Sequence, residues 1–294
     1  MILINSVQIG VRMFKCVLYF ALASISACCT TYHSLCNEDE SDNVKSEARF
    51  IDITRDISSV SPCVPKKYAV EIYDLEIEKS NLLDANCYPH MISTPSFAGT
   101  CITAPSFRDG NWKTVGNIPL EDLVMVPTVK IDVSKFATAK TKITAESIKT
   151  FEREFGKIPS KSVVIIYTGW SQYWTAEGKK YTKNYPELTT DAADYLIKRG
   201  VLGIGMDTPV PDKKSTNFEV QEMLYANGMY VVKNLSDETS QVPATSGHVI
   251  ILPLKFENAN ESLCRVIYVK ADKKSASIIS KVMQSINGFL EKWK

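Results

Sequence analysis

Two short, wholly apolar runs joined by a helical pattern constrain the fold most strongly. VVIIY occupies residues 163–167 and VLGIG occupies residues 201–205. A continuous apolar run of this length is typical of a strand that is covered on both faces, as in a parallel sheet. Between the runs, residues 190–199 have helical spacing and are followed by Gly200, a residue that commonly ends helices. The pattern predicts an α/β fold in which both runs are central, buried strands.

The flanking sequence continues this alternation of helices and strands. Thr144 is a suitable N-cap for a helix that ends before Gly156. Two more helices and two more strands are predicted, at residues 144–155, 218–226, 230–232 and 249–252. Because no internal repeat or low-complexity linker interrupts this pattern, we predict a single mixed α/β domain over residues 49–270.

The N-terminus has the pattern of a targeting segment. Arg12 and Lys15 precede an apolar run at residues 16–29, which is shorter than the roughly 20 apolar residues that a bilayer span needs. Small residues follow, so residues 1–29 are predicted to be a secretory signal peptide, with the mature chain secreted and starting between residues 27 and 31. A buried N-terminal helix is one alternative. A bacterial lipoprotein anchored to the membrane through Cys28 is another.

The segment after this leader is polar and acidic, with NEDESDN at its centre, and residues 30–48 are predicted to be a spacer. In an oxidising compartment some of the cysteines are expected to form disulfides. Asn-x-Ser triplets begin at Asn234 and Asn260, which are candidate glycosylation acceptors. Asn260 lies in a polar, loop-like stretch and is the better candidate.

The C-terminal residues 271–294 are predicted to form an amphipathic helix. Its apolar stripe has helical spacing and consists of Ile279, Val282, Met283, Ile286, Phe289, Leu290 and Trp293. We expect this stripe to dock on the chain's own core, and binding to a partner or a membrane surface is the alternative. The formal net charge of +1 gives no general attraction to nucleic acid.

A series of motifs then follows in a recognisable order along the body. They are RFIDITRDIS (49–58), GTCITAP (99–105), VGNIPLEDL (115–123), IIYTGWSQYW (165–174), the stretch from YPELTT to TPVPD (185–212) and ILPLKFENANESLCRVIYV (251–269). Together they resemble the cyclase superfamily, which includes bacterial kynurenine formamidase and isatin hydrolase. The resemblance implies a single domain of the swivelling β/β/α type.

The resemblance also implies a chemistry, since active members hold zinc or manganese that activates water for amide hydrolysis. The family signature, His-x-Gly-Thr-His-x-Asp-x-Pro with a further His, aligns with residues 97–107, and a later His and Glu align beyond it. In this chain these ligand and catalytic positions are Phe97, Cys101, Thr103, Phe107, Gln221 and Lys233. The six side chains are expected to converge in space.

The substituted residues predict that the metal has been lost. Phenylalanine cannot coordinate a metal, and Lys233 brings positive charge to the site of a cation. The chain has only three histidines, His33, His90 and His248. The last two are interpreted as ordinary surface or loop residues, so no metal cofactor is expected.

The leading hypothesis is therefore a secreted, non-catalytic member of the family that binds an unknown ligand or protein and forms a homo-oligomer. Cys101, Lys233 and Asp207 are its candidate binding residues, and an open cleft would suit an anionic or aromatic ligand. Ser106 and Asp212 lie nearby by motif position, although aspartates at turns usually bond the loop backbone.

Two catalytic alternatives remain. The first is an active arylformamidase that hydrolyses N-formylkynurenine in tryptophan catabolism. The second is a thiol enzyme in which Lys233 lowers the pKa of Cys101. A disulfide-bonded or inert Cys101 is the default expectation.

Overall fold

A mixed β-sheet with helices packed against it organises the chain. The computed structural model describes residues 49–59, 61–62, 69–74, 90–174, 178–213 and 216–271. Within them the strands are β1 (Phe50–Asp52), β2 (Glu71–Asp74), β3 (His90–Ser93), β4 (Cys101–Thr103), β5 (Val126–Asp132), β6 (Lys142–Ile143), β7 (Val163–Tyr167), β8 (Glu187–Leu188), β9 (Gly203–Met206), β10 (Tyr230–Lys233), β11 (Gly247–Pro253) and β12 (Glu261–Lys270). The α-helices are α1 (Ala145–Phe155), α2 (Gly178–Lys183), α3 (Thr190–Lys198) and α4 (Glu219–Ala226).

The main sheet has eight strands in the order β1-β12-β11-β5-β7-β9-β10-β4, and β4 also pairs with β12. This second pairing closes seven of the strands into a ring. The strands β5, β7, β9 and β10 are mutually parallel, whereas β4, β11 and β12 pair antiparallel. The two predicted central strands, β7 and β9, are fully buried neighbours in the middle of this order, which confirms their assignment.

Alternating side chains of the central strands fill two apolar cores. Ile166 and Ile204 point into a core that they share with helices α1, α3 and α4. Ile165, on the opposite face of β7, packs in a second core with residues of β11 and β12. Because successive strand residues face opposite sides of a sheet, an apolar run without alternation is required where both sides are covered.

Helix α1 begins and ends where the sequence predicts. The Thr144 side chain accepts a hydrogen bond from the backbone N–H of Ser147, and the Ser147 side chain accepts one from the backbone N–H of Thr144. This reciprocal arrangement is a capping box. Gly156 ends the helix with φ of 92°, a backbone conformation that glycine adopts without strain.

A separate two-stranded ribbon, β2–β3, stands outside the main sheet. All eight of its residues are exposed. Four of them are large and apolar: Ile72, Tyr73, Met91 and Ile92. An isolated ribbon of this kind is marginally stable in water. The sequence did not predict it.

The position of His248 requires a correction, whereas His90 is an exposed surface residue, as predicted. His248 is not in a loop but in strand β11, and His90 is in β3, where its imidazole lies 3.0 Å from the carboxylate of Asp74.

The predicted signal peptide, spacer and C-terminal helix lie outside the described residues. The described residues belong to one compact unit, and none of their helices is long and apolar enough to cross a bilayer.

Candidate functional site

Strand β4 brings the signature positions together because it lies between β10 and β12. Cys101 is opposite Lys233 on one side, and Thr103 is opposite Glu261 on the other. Residues that are directly opposite, or two apart on one strand, share a face of the sheet. These four side chains therefore project from a single face, while Ile102 between them packs into the core on the other side.

A buried ion pair occupies the centre of this face. The ammonium of Lys233 donates to Oε1 of Glu261, and the two side chains are 7% and 6% exposed. The Thr103 hydroxyl donates to the same Oε1 at 2.6 Å, and the Ser96 hydroxyl donates to Oε2 at 3.2 Å. Each oxygen of the carboxylate therefore has a partner.

Two aromatic rings cover the pair. The Lys233 nitrogen lies 5.9 Å from the centroid of the Phe107 ring, and Phe107 lies 6.3 Å from the ring of Tyr225 on α4. Tyr225 is buried, whereas Phe107 is 48% exposed and forms the outer surface of the cluster. An aromatic face attracts an ammonium, so this cover also favours the charge beneath it.

Both members of the pair are ionised. Burial acts to lower the pKa of Lys233, but the charge of Glu261 outweighs it and the pKa is raised. Burial acts to raise the pKa of Glu261, but the charge of Lys233 and the hydrogen bonds from Lys233, Thr103 and Ser96 leave it lowered. The site thus contains an internal cation with its counter-ion.

Cys101 is fully buried beside this pair. Burial raises the pKa of its thiol to about 12, and the opposing effect of Lys233 is smaller. The thiol is therefore neutral near pH 7, whereas a nucleophilic cysteine needs a thiolate. Cys101 and Cys264 are free. Leu263 is opposite Cys101, so the adjacent Cys264 faces the other side of the sheet. The other six cysteines lie outside the described residues.

Gln221 and Asp212 form a hydrogen-bonded pair next to the cluster. The Gln221 amide donates to Oδ1 of Asp212 at 2.9 Å, and the other carboxylate oxygen accepts from the backbone N–H of Val220 at 2.9 Å. Gln221 lies one helical turn before Tyr225, so both residues are on the same side of α4. Asp212 therefore holds the start of the helix.

Three further candidates are placed less centrally. Asp207 is fully buried, and burial raises its pKa. It accepts from the backbone and hydroxyl of Thr168 at 2.9 and 2.7 Å and holds the turn after β7. Phe97 is half-buried and directly follows Ser96, so its backbone lies at the edge of the cluster. Ser106 is buried within the 3₁₀ turn that presents Phe107.

The structure thus brings together Cys101, Thr103, Phe107 and Lys233, with Gln221 beside them. It also adds Glu261, Ser96 and Tyr225, which motif matching missed. Glu261 is in the last hairpin motif, where only its place within an Asn-x-Ser triplet drew attention to it. The register of β12 against β4 places Glu261 opposite Thr103 and so beside Lys233, and no sequence motif encodes this register.

The residues present do not fit a zinc or manganese ion. Within the described ranges no group of three or more His, Cys, Asp or Glu side chains is placed to hold a metal. Glu261 supplies one carboxylate, but the Lys233 ammonium already occupies the space beside it. A second cation there would be repelled.

Comparisons with known proteins agree on the family. The model of the family described as "Putative cyclase" matches residues 51–213. An uncharacterized protein of Methanocaldococcus jannaschii is 28% identical over 42% of this chain and 61% of its own length. Isatin hydrolase of Roseibium aggregatum is 26% identical over 56% of this chain and 66% of its own length. Kynurenine formamidase of Bacillus thuringiensis is 26% identical over 58% of this chain and 74% of its own length. The matched region thus spans less than two thirds of the length of each of the first two relatives.

Solved structures of cyclase-like proteins share the fold of this chain. Isatin hydrolase A from Labrenzia aggregata, bound to benzyl benzoate, superposes with a TM-score of 0.68 at 27% identity, covering 76% of this chain and 94% of that one. An isatin hydrolase bound to the product analogue thioisatinate has a TM-score of 0.69 at 20% identity, covering 86% and 99%, and supports the fold alone. Since the family model covers more than half of the sequence, this chain belongs to the putative cyclase family.

Proposed function

We propose that this protein is a cyclase-family member that does not catalyse metal-dependent hydrolysis and acts by binding. The observation that carries the proposal is the buried ion pair between Lys233 and Glu261, in the place where the signature would put metal ligands. Metal-assisted hydrolysis needs a bound cation with an open position for water. Here the cation is a side chain, and its neighbours are a neutral thiol and two aromatic rings.

The same cluster argues against an anionic ligand in the old cleft. Glu261 already neutralises the charge of Lys233, and a ligand carboxylate would have to displace it from the hydrogen bonds of Thr103 and Ser96. Phe107 covers the outer side. A binding role is therefore better supported on the outer surface, with another protein molecule as the partner.

The β2–β3 ribbon is the surface that best supports self-association. It exposes Ile72 and Ile92, which are opposite each other, on one face, and Tyr73 and Met91 on the other. Apolar side chains on both faces of an uncovered ribbon are typical of a surface that another molecule covers. A homo-oligomer in which a second copy covers the ribbon fits this pattern.

Secretion remains part of the proposal, on the strength of the leader pattern in residues 1–29. If the chain passes through a glycosylating pathway, Asn260 is the better acceptor because it is exposed in the loop directly before β12. Asn234 is buried, and its amide donates to Gly99 and accepts from Tyr181.

The test is a metal analysis of the purified full chain beside an N-formylkynurenine hydrolysis assay. The kynurenine formamidase of Bacillus thuringiensis serves as the positive control. We expect neither stoichiometric zinc or manganese nor turnover. Stoichiometric metal or measurable turnover would overturn the proposal. Either result would favour the arylformamidase alternative, for which the supporting observation is the 26% identity to that relative.

A further inference from the structure

We infer that the cleft is still a cation site, and that its resident cation is the Lys233 ammonium. The inference rests on the proposed loss of the metal. It assigns Glu261 as the ligand of that cation and primary alkylammonium ions as the class of cation that can replace it once the Lys233 side chain is removed.

The carboxylate of Glu261 is held as a ligand would be. Oε1 accepts from Lys233 and from Thr103 at 2.6 Å, and Oε2 accepts from Ser96 at 3.2 Å. The side chain is 6% exposed. Its supports come from β4 and from the segment just before it, so its position does not depend on Lys233 alone.

The surroundings select an ammonium over a divalent metal ion. One carboxylate and two hydroxyls, both of which already donate to that carboxylate, are too few hard donors for zinc or manganese, and the nearby thiol is neutral. The Phe107 ring lies 5.9 Å from the charged nitrogen and provides the aromatic face that organic cations prefer. A single carboxylate and one aromatic face match one positive charge.

The pair also joins three strands. Lys233 is on β10, Glu261 is on β12, and β4 lies between them with Cys101 and Thr103 in register. This is where the ring of strands closes. Removing the cation would leave an unpaired buried carboxylate at the seam, which is strongly destabilising.

The experiment replaces the tethered cation with a free one. Lys233→Ala should lower Tm by roughly 10 °C. Propylammonium chloride, which restores the deleted atoms, should recover several degrees relative to potassium chloride at equal ionic strength. The wild-type chain should not respond. No recovery, or recovery by zinc chloride alone, would overturn the inference.

A matched control is Lys130→Ala. Lys130 is also buried, but its ammonium donates to the backbone carbonyls of Thr239 and Ser240 and contacts Asp132, which is 40% exposed. Solvent can reach that carboxylate, so propylammonium should give little recovery. Equal recovery in both variants would show a general effect of the amine and would contradict the assignment.

A second pair of variants covers the case in which Lys233→Ala does not fold. Lys233→Met combined with Glu261→Leu removes both charges, so its Tm should exceed that of Lys233→Met alone. An equal or lower Tm would overturn the inference. Metal analysis of the wild-type chain separates the two proposals: stoichiometric metal defeats both, whereas a metal-free chain with unresponsive variants defeats only this one.

Discussion

At the scale of single residues, burial decides the chemistry of Cys101. Its thiol is fully buried, and its pKa is raised to about 12. We predict that iodoacetamide at pH 8 leaves Cys101 unmodified in the folded chain and modifies it in denaturant, as measured by peptide mass spectrometry. Stoichiometric modification of Cys101 under native conditions would revive the thiol-enzyme alternative.

A second prediction at this scale concerns Glu187, which is buried between two lysines. Burial acts to raise its pKa, but hydrogen bonds and charges from Lys213 and Lys142, at 2.5 and 3.1 Å, leave it lowered. A carboxyl group whose pKa is lower in the folded state stabilises the fold at pH values above its unfolded-state pKa. This contribution is lost as the pH falls through its folded-state pKa.

Glu187→Gln should therefore cost on the order of 2 kcal/mol at pH 7 and make the acid decline of stability less steep. Urea unfolding between pH 3 and 7 measures both effects. Glu146→Gln is the control, because Glu146 is 64% exposed in its pair with Arg153. Identical pH profiles for the two variants would contradict the prediction.

Single residues also mark what the sequence could and could not predict about the site. Motif position was sufficient to place Cys101, Thr103, Phe107 and Lys233 together. It could not provide Glu261, because a buried acid in a hairpin has the same local sequence as an exposed one. Only its pairing with a distant strand distinguishes the two.

At the scale of the elements, helix α1 depends on its cap. Thr144→Ala removes the acceptor for the Ser147 N–H and should cost about 1 kcal/mol. Thr150→Ala in the same helix is the control, because its exposed hydroxyl bonds the carbonyl of Glu146 one turn back and alanine is a better helix former. Denaturant unfolding of both variants checks the difference, and an equal loss would rule out the cap.

The elements that the sequence predicted well are those with a local signal. VVIIY has enough apolar residues to be recognised as a doubly covered strand, and β7 matches it at both ends. In VLGIG the strand begins only at Gly203, although the carbonyl of Leu202 already accepts a hydrogen bond from the backbone N–H of Tyr230, the first residue of β10. The β2–β3 ribbon was missed because EIYD and HMIS are short, alternate only weakly and depend on each other for pairing.

At the scale of the whole molecule, the ribbon predicts the assembly state. We expect the wild-type chain to be a dimer or larger by size-exclusion chromatography with light scattering. Charges at the facing pair, in Ile72→Glu combined with Ile92→Glu, should shift the mass toward the monomer, because a buried glutamate is costly at an apolar interface. These side chains are 47% and 58% exposed in the single chain, so the monomer itself should tolerate the change.

Phe136→Glu is the matched control for this prediction. Phe136 is 69% exposed and lies outside the ribbon, so the same apolar-to-charged change there should leave the mass unaltered. A wild-type monomer at every concentration, or an equal shift in the control, would exclude the ribbon as the interface.

The closed ring of strands has a consequence for how the chain is made. Strand β4 is three residues long, yet it completes the ring by joining β12, and Thr103 meets Glu261 across 158 residues of sequence. At typical elongation rates of about 5–20 residues per second, roughly 10–30 s separate the synthesis of the two. During that time β4 has no β12 to pair with, and Lys233, once translated, has no carboxylate to neutralise it until a further 28 residues have been added. The ring can therefore close only after β12 leaves the ribosome, and until then β4 presents an unpaired strand edge, which is the kind of surface that makes incompletely folded chains prone to aggregation.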